Sequence, residues 1–205
     1  MNEFCGEFGE VRRATRGRML ARLAGGAVAA LGGGVLIALR PEAATPAPSV
    51  STDRKIFDFA LQLEYLQAAF YSAAVDGGAL RGELLDFAET VGGHEREHVA
   101  FLEQALGPAA SPKPRFDFGR ATSSEREFLD AAVLLENIGV SAYNGQAANL
   151  TKPALGAAAK IVSVEGRHAA WVSALAGREP APRAADPGQT AAAVTAMLKR
   201  TGFVQ

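Results

Sequence analysis

From Ser51 onward, apolar residues recur at intervals of three and four, and no stretch alternates apolar with polar positions long enough to argue for a strand. The chain therefore reads as all-α. Ile56, Phe59, Ala60, Leu63, Leu66, Phe70 and Ala74 mark one face of a helix from about Thr52 to Asp76, stopped by Gly77 and Gly78. A second helix runs from about Leu80 to Leu106 and ends at Gly107-Pro108. A third opens at Ser123 or Ser124, where Ser124 and Glu127 have the spacing of a capping box, and continues to about Leu150. The fourth begins near Thr151, tolerates Pro153 in its first turn and closes at Gly177 ahead of Pro180. A Pro-rich linker, REPAPRAADPG, then leads to a short C-terminal helix that Asp186, Pro187 and Gln189 are placed to start, with Val194, Met197 and Leu198 available for docking.

The connections set the topology. Very short loops join the first helix to the second and the third to the fourth, so each pair is expected to be antiparallel. The 16 residues from Gly107 to Thr122 can extend to about 50 Å, more than the roughly 35 to 40 Å of a 25-residue helix. That segment can cross the whole bundle. The expected architecture is a four-helix bundle with a long crossover between helices 2 and 3, plus a short C-terminal helix.

Composition adds a boundary at the front of the chain. At 205 residues, with 48% hydrophobic and 21% charged content, the chain is globular and has room for one core and a leader. Residues 1–40 carry a charge of +3 and the remainder −4, a balance that gives no reason to expect nucleic acid as a partner. Arg12, Arg13, Arg16, Arg18 and Arg22 precede the uncharged, Gly- and Ala-rich run Leu23 to Leu39, the order of an export signal. The Arg12-Arg13 pair resembles a twin-arginine signal. No clean cleavage site follows, so an uncleaved anchor is the alternative, and it is the only membrane contact expected. The chain thus divides into 1–50 (signal or anchor with linker), 51–178 (bundle) and 179–205 (linker and short helix). The single cysteine, Cys5, precedes the bundle, so no disulfide framework exists.

Candidate chemistry begins at HEREH, His94 to His98. Read as H-E-x-x-H it is the zinc helix of a metalloprotease; read as E-x-x-H it is one quarter of a dinuclear carboxylate site. An internal repeat separates the two. The first half contains DFALQLEYLQAAFY and EREHVAFL; the second contains DAAVLLENIGVSAY and EGRHAAWV. Asp58 and Asp130 sit six before the mid-helix glutamates Glu64 and Glu136; Leu63 and Leu135 sit one before, and Tyr71 and Tyr143 seven after. An E-x-x-H follows in each half, Glu95 with His98 and Glu165 with His168, with Phe101 and Trp171 three past the histidines. What repeats is E-x-x-H, because Val164 stands where the first half has His94. A zinc protease would also lack an identifiable third ligand.

Residues three apart share a helical face, so each Glu–His pair can converge on one point, and mid-helix is the height all four helices share. Four carboxylates in an apolar core are severely destabilising unless compensated, and two divalent cations supply the matching charge. Iron and manganese suit Glu and His ligands, and zinc is also compatible.

At this point the chain resembles the ferritin-like superfamily of di-iron and di-manganese four-helix bundles. FALQLEYLQAAFY, HEREHVAFL, LLENIGVSAYNG and VEGRHAAWV resemble its exported, desiccation-related members. The resemblance implies metal ligation by Glu64, Glu95, His98, Glu136, Glu165 and His168, with Glu95 and Glu165 bridging and Glu64 and Glu136 each capping one ion. It also implies that Tyr71 and Tyr143 lie close enough to hydrogen-bond a ligand or donate an electron; packing around a buried hydroxyl is the plainer reading of both. Arg96 occupies the place of a haem-ligating methionine in bacterioferritins, and Met1, Met19 and Met197 are the only methionines, so no haem is expected. No cage-forming signature marks the C-terminal helix, which leaves a homo-oligomer open without implying a storage shell.

The remaining residues have bland readings. His94 is expected at the surface or behind a ligand, Phe101 and Trp171 in the core, and Arg96 and Arg167 in surface ion pairs. Gly92 and Gly93 cost about 1 kcal/mol each in mid-helix, so a bulge or a close helix approach is expected beside them. The functional expectation is an exported metal protein of the periplasm or envelope that reacts with O2 or peroxide. The competing class is a non-enzymatic stress or envelope protein whose metals serve structure only.

Overall fold

The computed structural model describes residues 47–205. The arginine-rich segment and the Leu23–Leu39 run, with the export and anchor readings built on them, lie outside the described residues. No described helix is long and apolar enough to cross a membrane.

Helix α1 spans Val50–Asp76, α2 Gly82–Leu106, α3 Glu125–Gln146, α4 Lys152–Leu175 and α5 Ala191–Thr201. Ser49 caps α1 by accepting from the Thr52 N–H, and Ser124 caps α3 by accepting from the Glu127 N–H. Pro153 occupies the first turn of α4, where its missing N–H costs nothing. Helix α2 starts two residues later than its apolar pattern suggested, and α3 stops at Gln146 before a single 3-10 turn, Ala147–Asn149.

The direction of each helix follows from what it buries. Two apolar clusters close the two ends of the bundle. One holds Phe70, Tyr71, Phe87, Phe128 and Val172; the other holds Leu61, Leu102, Tyr143 and Ile161. Chain numbers run from the second cluster to the first in α1 and α4, and from the first to the second in α2 and α3. Helices α2 and α3 are therefore parallel, and residues 107–124 must travel the length of the bundle between them.

The end of the bundle at Phe70 is aromatic. Phe70 stacks on Phe128 at 5.3 Å between ring centres, and Trp171 meets Phe87 edge-on at 5.0 Å. Burying side chains of this size is worth about 1.5 to 3 kcal/mol each. Gly92 lets α2 approach α1 closely: a Cβ there would sit 2.9 Å from the Tyr71 Cβ. Helix α2 is continuous through Gly92 and Gly93, so the close approach, and not a bulge, accounts for Gly92, whereas nothing in the packing requires a glycine at Gly93.

The crossover is held from both sides. Asp58 accepts from the Ser111 N–H and hydroxyl at 2.8 and 2.7 Å. The C-terminal tail pairs with the crossover, as Asp117 N–H donates to the Phe203 carbonyl and Gln205 N–H to that of Arg115. Helix α5 docks on α1 and α3 through Val194, fully buried among Leu63, Ile138 and Ala142, with Met197 and Leu198 beside it. Its start differs from expectation. Thr190 is the cap, and the Gln189 N–H donates instead to the Ser141 carbonyl, because Gly188 lies against Gly145 and keeps the linker non-helical there. Phe101 also departs from expectation and is exposed; Leu102 takes the inward position on that turn.

Candidate metal centre

Between the two apolar clusters lies one polar layer. Glu64 comes from the middle of α1, Glu136 from α3, Glu95 and His98 from α2, and Glu165 and His168 from α4. All four glutamates are completely buried, and His98 and His168 nearly so. Leu63, Leu135 and Ile138 seal the flanks, so the amphipathic faces that form the core also carry these carboxylates inward.

The atoms fall into two overlapping sets. His98 Nδ1 lies 3.3 Å from Glu64 Oε2, 3.3 Å from Glu95 Oε2 and 3.2 Å from Glu165 Oε1. His168 Nδ1 lies 3.0 Å from Glu95 Oε1, 3.4 Å from Glu136 Oε2 and 3.9 Å from Glu165 Oε1. One set is Glu64, Glu95, His98 and Glu165; the other is Glu95, Glu136, Glu165 and His168, each with donor atoms within 4.8 Å of one another. Glu95 and Glu165 belong to both. The residue pairs 95 with 168 and 98 with 165 also show α2 and α4 to be antiparallel.

The layer fits divalent cations. Glu95 Oε1, Glu136 Oε2, both oxygens of Glu165 and His168 Nδ1 are buried without a hydrogen-bond partner. Some of these atoms are close in distance, as His168 Nδ1 is to Glu95 Oε1, yet their directions are not those of hydrogen bonds. Buried polar atoms aimed at a common point and unsatisfied by one another are a costly arrangement that cations relieve. Oxygen donors with one imidazole per set suit iron, manganese or zinc.

Without cations, protons serve as the counter-charge. Burial, reinforced by Glu95, pushes Glu64 up to about 8 against the lowering effect of His98. Burial, reinforced by Glu64, does the same to Glu165. Burial alone would pull both histidines down. Around His98 the nearby carboxylates of Glu165, Glu64 and Glu95 outweigh it and push the ring up to about 12; Glu136 and Glu95 push His168 up to about 10.

The outer oxygens of the two non-shared glutamates are held by tyrosines, and the pairing crosses between halves. Tyr71 of α1 donates to Glu136 Oε1 of α3 at 2.5 Å, and Tyr143 of α3 donates to Glu64 Oε1 of α1 at 2.6 Å. Both phenols stand well above their ordinary value through burial and then through the facing carboxylate, so they stay protonated donors. Residues 64 with 143 and 71 with 136 make α1 and α3 antiparallel.

Two neighbours escaped the sequence reading. Gln67 Nε2 adds a second bond to Glu136 Oε1 at 3.2 Å. Gly139, which holds Gln67's place in the second repeat, leaves the space Glu165 needs: a Cβ there would lie 2.6 Å from Glu165 Oε2. The substitution of Gln by Gly at matching repeat positions was the available signal. His94 joins neither donor set; its Nδ1 lies 2.9 Å from His168 Nε2. The H-E-x-x-H reading therefore loses its first ligand. Arg96 and Arg167 are exposed, and neither forms an ion pair among the described residues.

Fold and centre together define a class: an antiparallel-paired four-helix bundle whose mid-plane carries a carboxylate–histidine cluster compatible with a dinuclear metal site. The chain belongs to the ferritin-like domain family, whose model matches residues 52–178 and so includes all six clustered side chains. No curated protein matches the chain's sequence.

Proposed function

We propose that Glu64, Glu95, His98, Glu136, Glu165 and His168 hold two divalent ions, iron or manganese, with Glu95 and Glu165 shared between them. We further propose that the centre reacts with O2 or peroxide in the cell envelope. The observation that carries the reading is the pair of donor sets overlapping at two glutamates, with five of their buried atoms left unsatisfied. When bound, two such ions supply paired one-electron changes, which suit H2O2 disproportionation or oxidation of Fe(II) by O2. The envelope location rests on the arginine-rich, apolar N-terminus alone.

The chain's own residues prepare that chemistry. Tyr143 and Tyr71 fix the outer oxygens of Glu64 and Glu136, which leaves Oε2 of each turned toward the centre. The phenolic protons stay within hydrogen-bond reach of those carboxylates and can follow a change in their charge. The apolar clusters on either side exclude water.

Metal analysis of protein expressed with iron or manganese should give about two ions per chain, and H2O2 consumption should follow metal content. A metal-free product under both regimes would overturn the reading. A structural role is favoured by one observation, the complete burial of all four carboxylates with only the edge of His98 near solvent. Two bound ions, a large fall in Tm on chelation and no turnover of H2O2 or Fe(II) would establish that second reading instead.

A further inference from the structure

The contact between His94 and His168 is more than proximity. A ring nitrogen lies about 1.1 Å from the centre of an imidazole with bonds near 1.33 Å. Two such rings with nitrogens 2.9 Å apart reach a centre-to-centre distance of 5.2 Å only if both centres and both nitrogens are collinear. The interplanar angle is 10°. The rings therefore lie edge to edge in nearly one plane, with His94 Nδ1 and His168 Nε2 pointing at each other. That is hydrogen-bond geometry and not face-to-face stacking.

The orientation has a consequence at the centre. His168 turns Nδ1 inward, toward Glu95 and Glu136. A nitrogen that binds a cation carries no proton, so the proton of neutral His168 must sit on Nε2. His94 Nδ1 is placed to accept it. Such an outer partner fixes a ligand's tautomer and ring angle and raises its basicity. His98 has no equivalent, because Val164 occupies the position in the second repeat that His94 holds in the first, and His98 itself reaches the surface.

We propose that His94 is a positioning residue for His168, and that it makes the Glu136/His168 position the tighter and first-filled of the two metal positions. The inference rests on the dinuclear reading above. It assigns to one side chain outside both donor sets the part of the asymmetry that acts through His168, beside the bond that Gln67 adds to Glu136.

The test is a Co(II) titration of the metal-stripped full chain, followed by visible absorption and calorimetry. Wild type should take up two ions in two resolved steps. His94→Val, which copies the second repeat, should weaken the first step by about 10- to 100-fold and leave the second in place, merging the two. His94→Gln, whose side-chain oxygen can accept the same proton, should restore much of the separation. Nitrogen NMR of the histidines in the metal-loaded chain should show the His168 Nε2 proton protected from exchange in wild type and His94→Gln, and exposed in His94→Val. Two resolved steps in all three proteins, with unchanged His168 signals, would overturn the role of His94 while leaving the metal centre intact. No uptake by wild type would overturn both.

Discussion

The two halves of the bundle agree wherever a side chain faces the centre, and behind it they share the tyrosines that hold the capping glutamates but differ at several other positions. Glu64 matches Glu136, and the Glu95–His98 pair matches Glu165–His168, in both residue type and depth. Behind them, Gln67 faces Gly139 across the repeat, His94 faces Val164, and the paired aspartates at 58 and 130 make unrelated contacts. A duplicated sequence thus retains its donor atoms and the tyrosines that hold them, and diverges in part of what else tunes them. The donors answer to charge balance, which permits little change, whereas the supporting positions need only fill space or satisfy one bond.

The sharpest way to break this comparison is to separate shared from exclusive ligands. Glu95→Ala should abolish binding of both ions, because Glu95 lies in both donor sets, whereas Glu64→Ala should leave about one ion per chain at the other position. Metal content after dialysis decides it. Equal loss in the two variants would remove the distinction between bridging and capping glutamates.

The second effect concerns protons. Glu64 and Glu165 titrate near 8 in the folded protein against 4.5 as free groups, and His98 and His168 near 12 and 10 against 6.5. All four bind protons more tightly folded than unfolded. Their contribution to metal-free stability is therefore complete below about pH 4.5 and is lost as pH rises through 8, and through 10 to 12 for the histidines. Cations compete for the same atoms, so the stabilisation they confer should grow over that range. Thermal unfolding of stripped and loaded protein at pH 5 and pH 8 should show the gap in Tm widening with pH; a constant gap would mean that ions and protons do not share these groups.

How much of this was legible in the sequence depends on whether a property belongs to one helix or to two. The four long helices, the crossover and the six clustered residues could be read because amphipathic spacing, E-x-x-H and the repeat are each contained within single segments. The crossed tyrosine bonds were not, since Tyr71 and Glu136 meet only once antiparallel packing brings 64 opposite 143. Phe101 was misplaced by one position: the inward stripe of α2 runs through Glu95, His98 and Leu102, so a residue three past His98 falls outside it. Trp171, at the matching place in α4, recovers partial burial by reaching Phe87. The start of α5 was set by Gly188 lying on Gly145, a contact between segments more than 40 residues apart that no local capping signal encodes.

Gly139 gives the third test. Replacing glycine by alanine inside a helix ordinarily stabilises by about 1 kcal/mol, but here the new Cβ would fall 2.6 Å from Glu165 Oε2. Gly139→Ala should instead destabilise by about 1 to 3 kcal/mol, the usual range for overpacking, and should weaken metal uptake. Gly156, on α4 with open space around its Cβ position, is the control: Gly156→Ala should raise Tm. If both variants gain stability, Glu165 has room that the packing denies.

A smaller difference separates the tyrosines. Tyr71→Phe leaves Glu136 Oε1 with its bond from Gln67, while Tyr143→Phe leaves Glu64 Oε1 without a side-chain donor among the described residues. A hydrogen bond to a charged group contributes about 1.5 to 3 kcal/mol, so Tyr143→Phe should cost the full amount and Tyr71→Phe roughly half. Chemical denaturation of the metal-loaded proteins measures both, and the double variant Tyr71→Phe with Gln67→Leu should bring the first half level with the second.

The smallest effect lies at the repeated aspartates, where sequence identity conceals a difference of environment. Asp58 is half-buried and accepts two bonds from Ser111, so it holds the crossover against α1. Asp130 pairs with Arg178 at 2.7 Å with both side chains more than half exposed. Such surface pairs are worth about 0 to 1 kcal/mol and weaken with salt, whereas stranding the partly buried Ser111 donors should cost about 1 to 2 kcal/mol. Asp58→Ala should lower Tm measurably at any ionic strength and loosen residues 107–124 to proteolysis. Asp130→Ala should change Tm little, and that little should vanish in about 1 M salt. Equal losses in the two variants would mean that the repeat has conserved a structural role here after all, and that its divergence begins only at the positions directly behind the ligands.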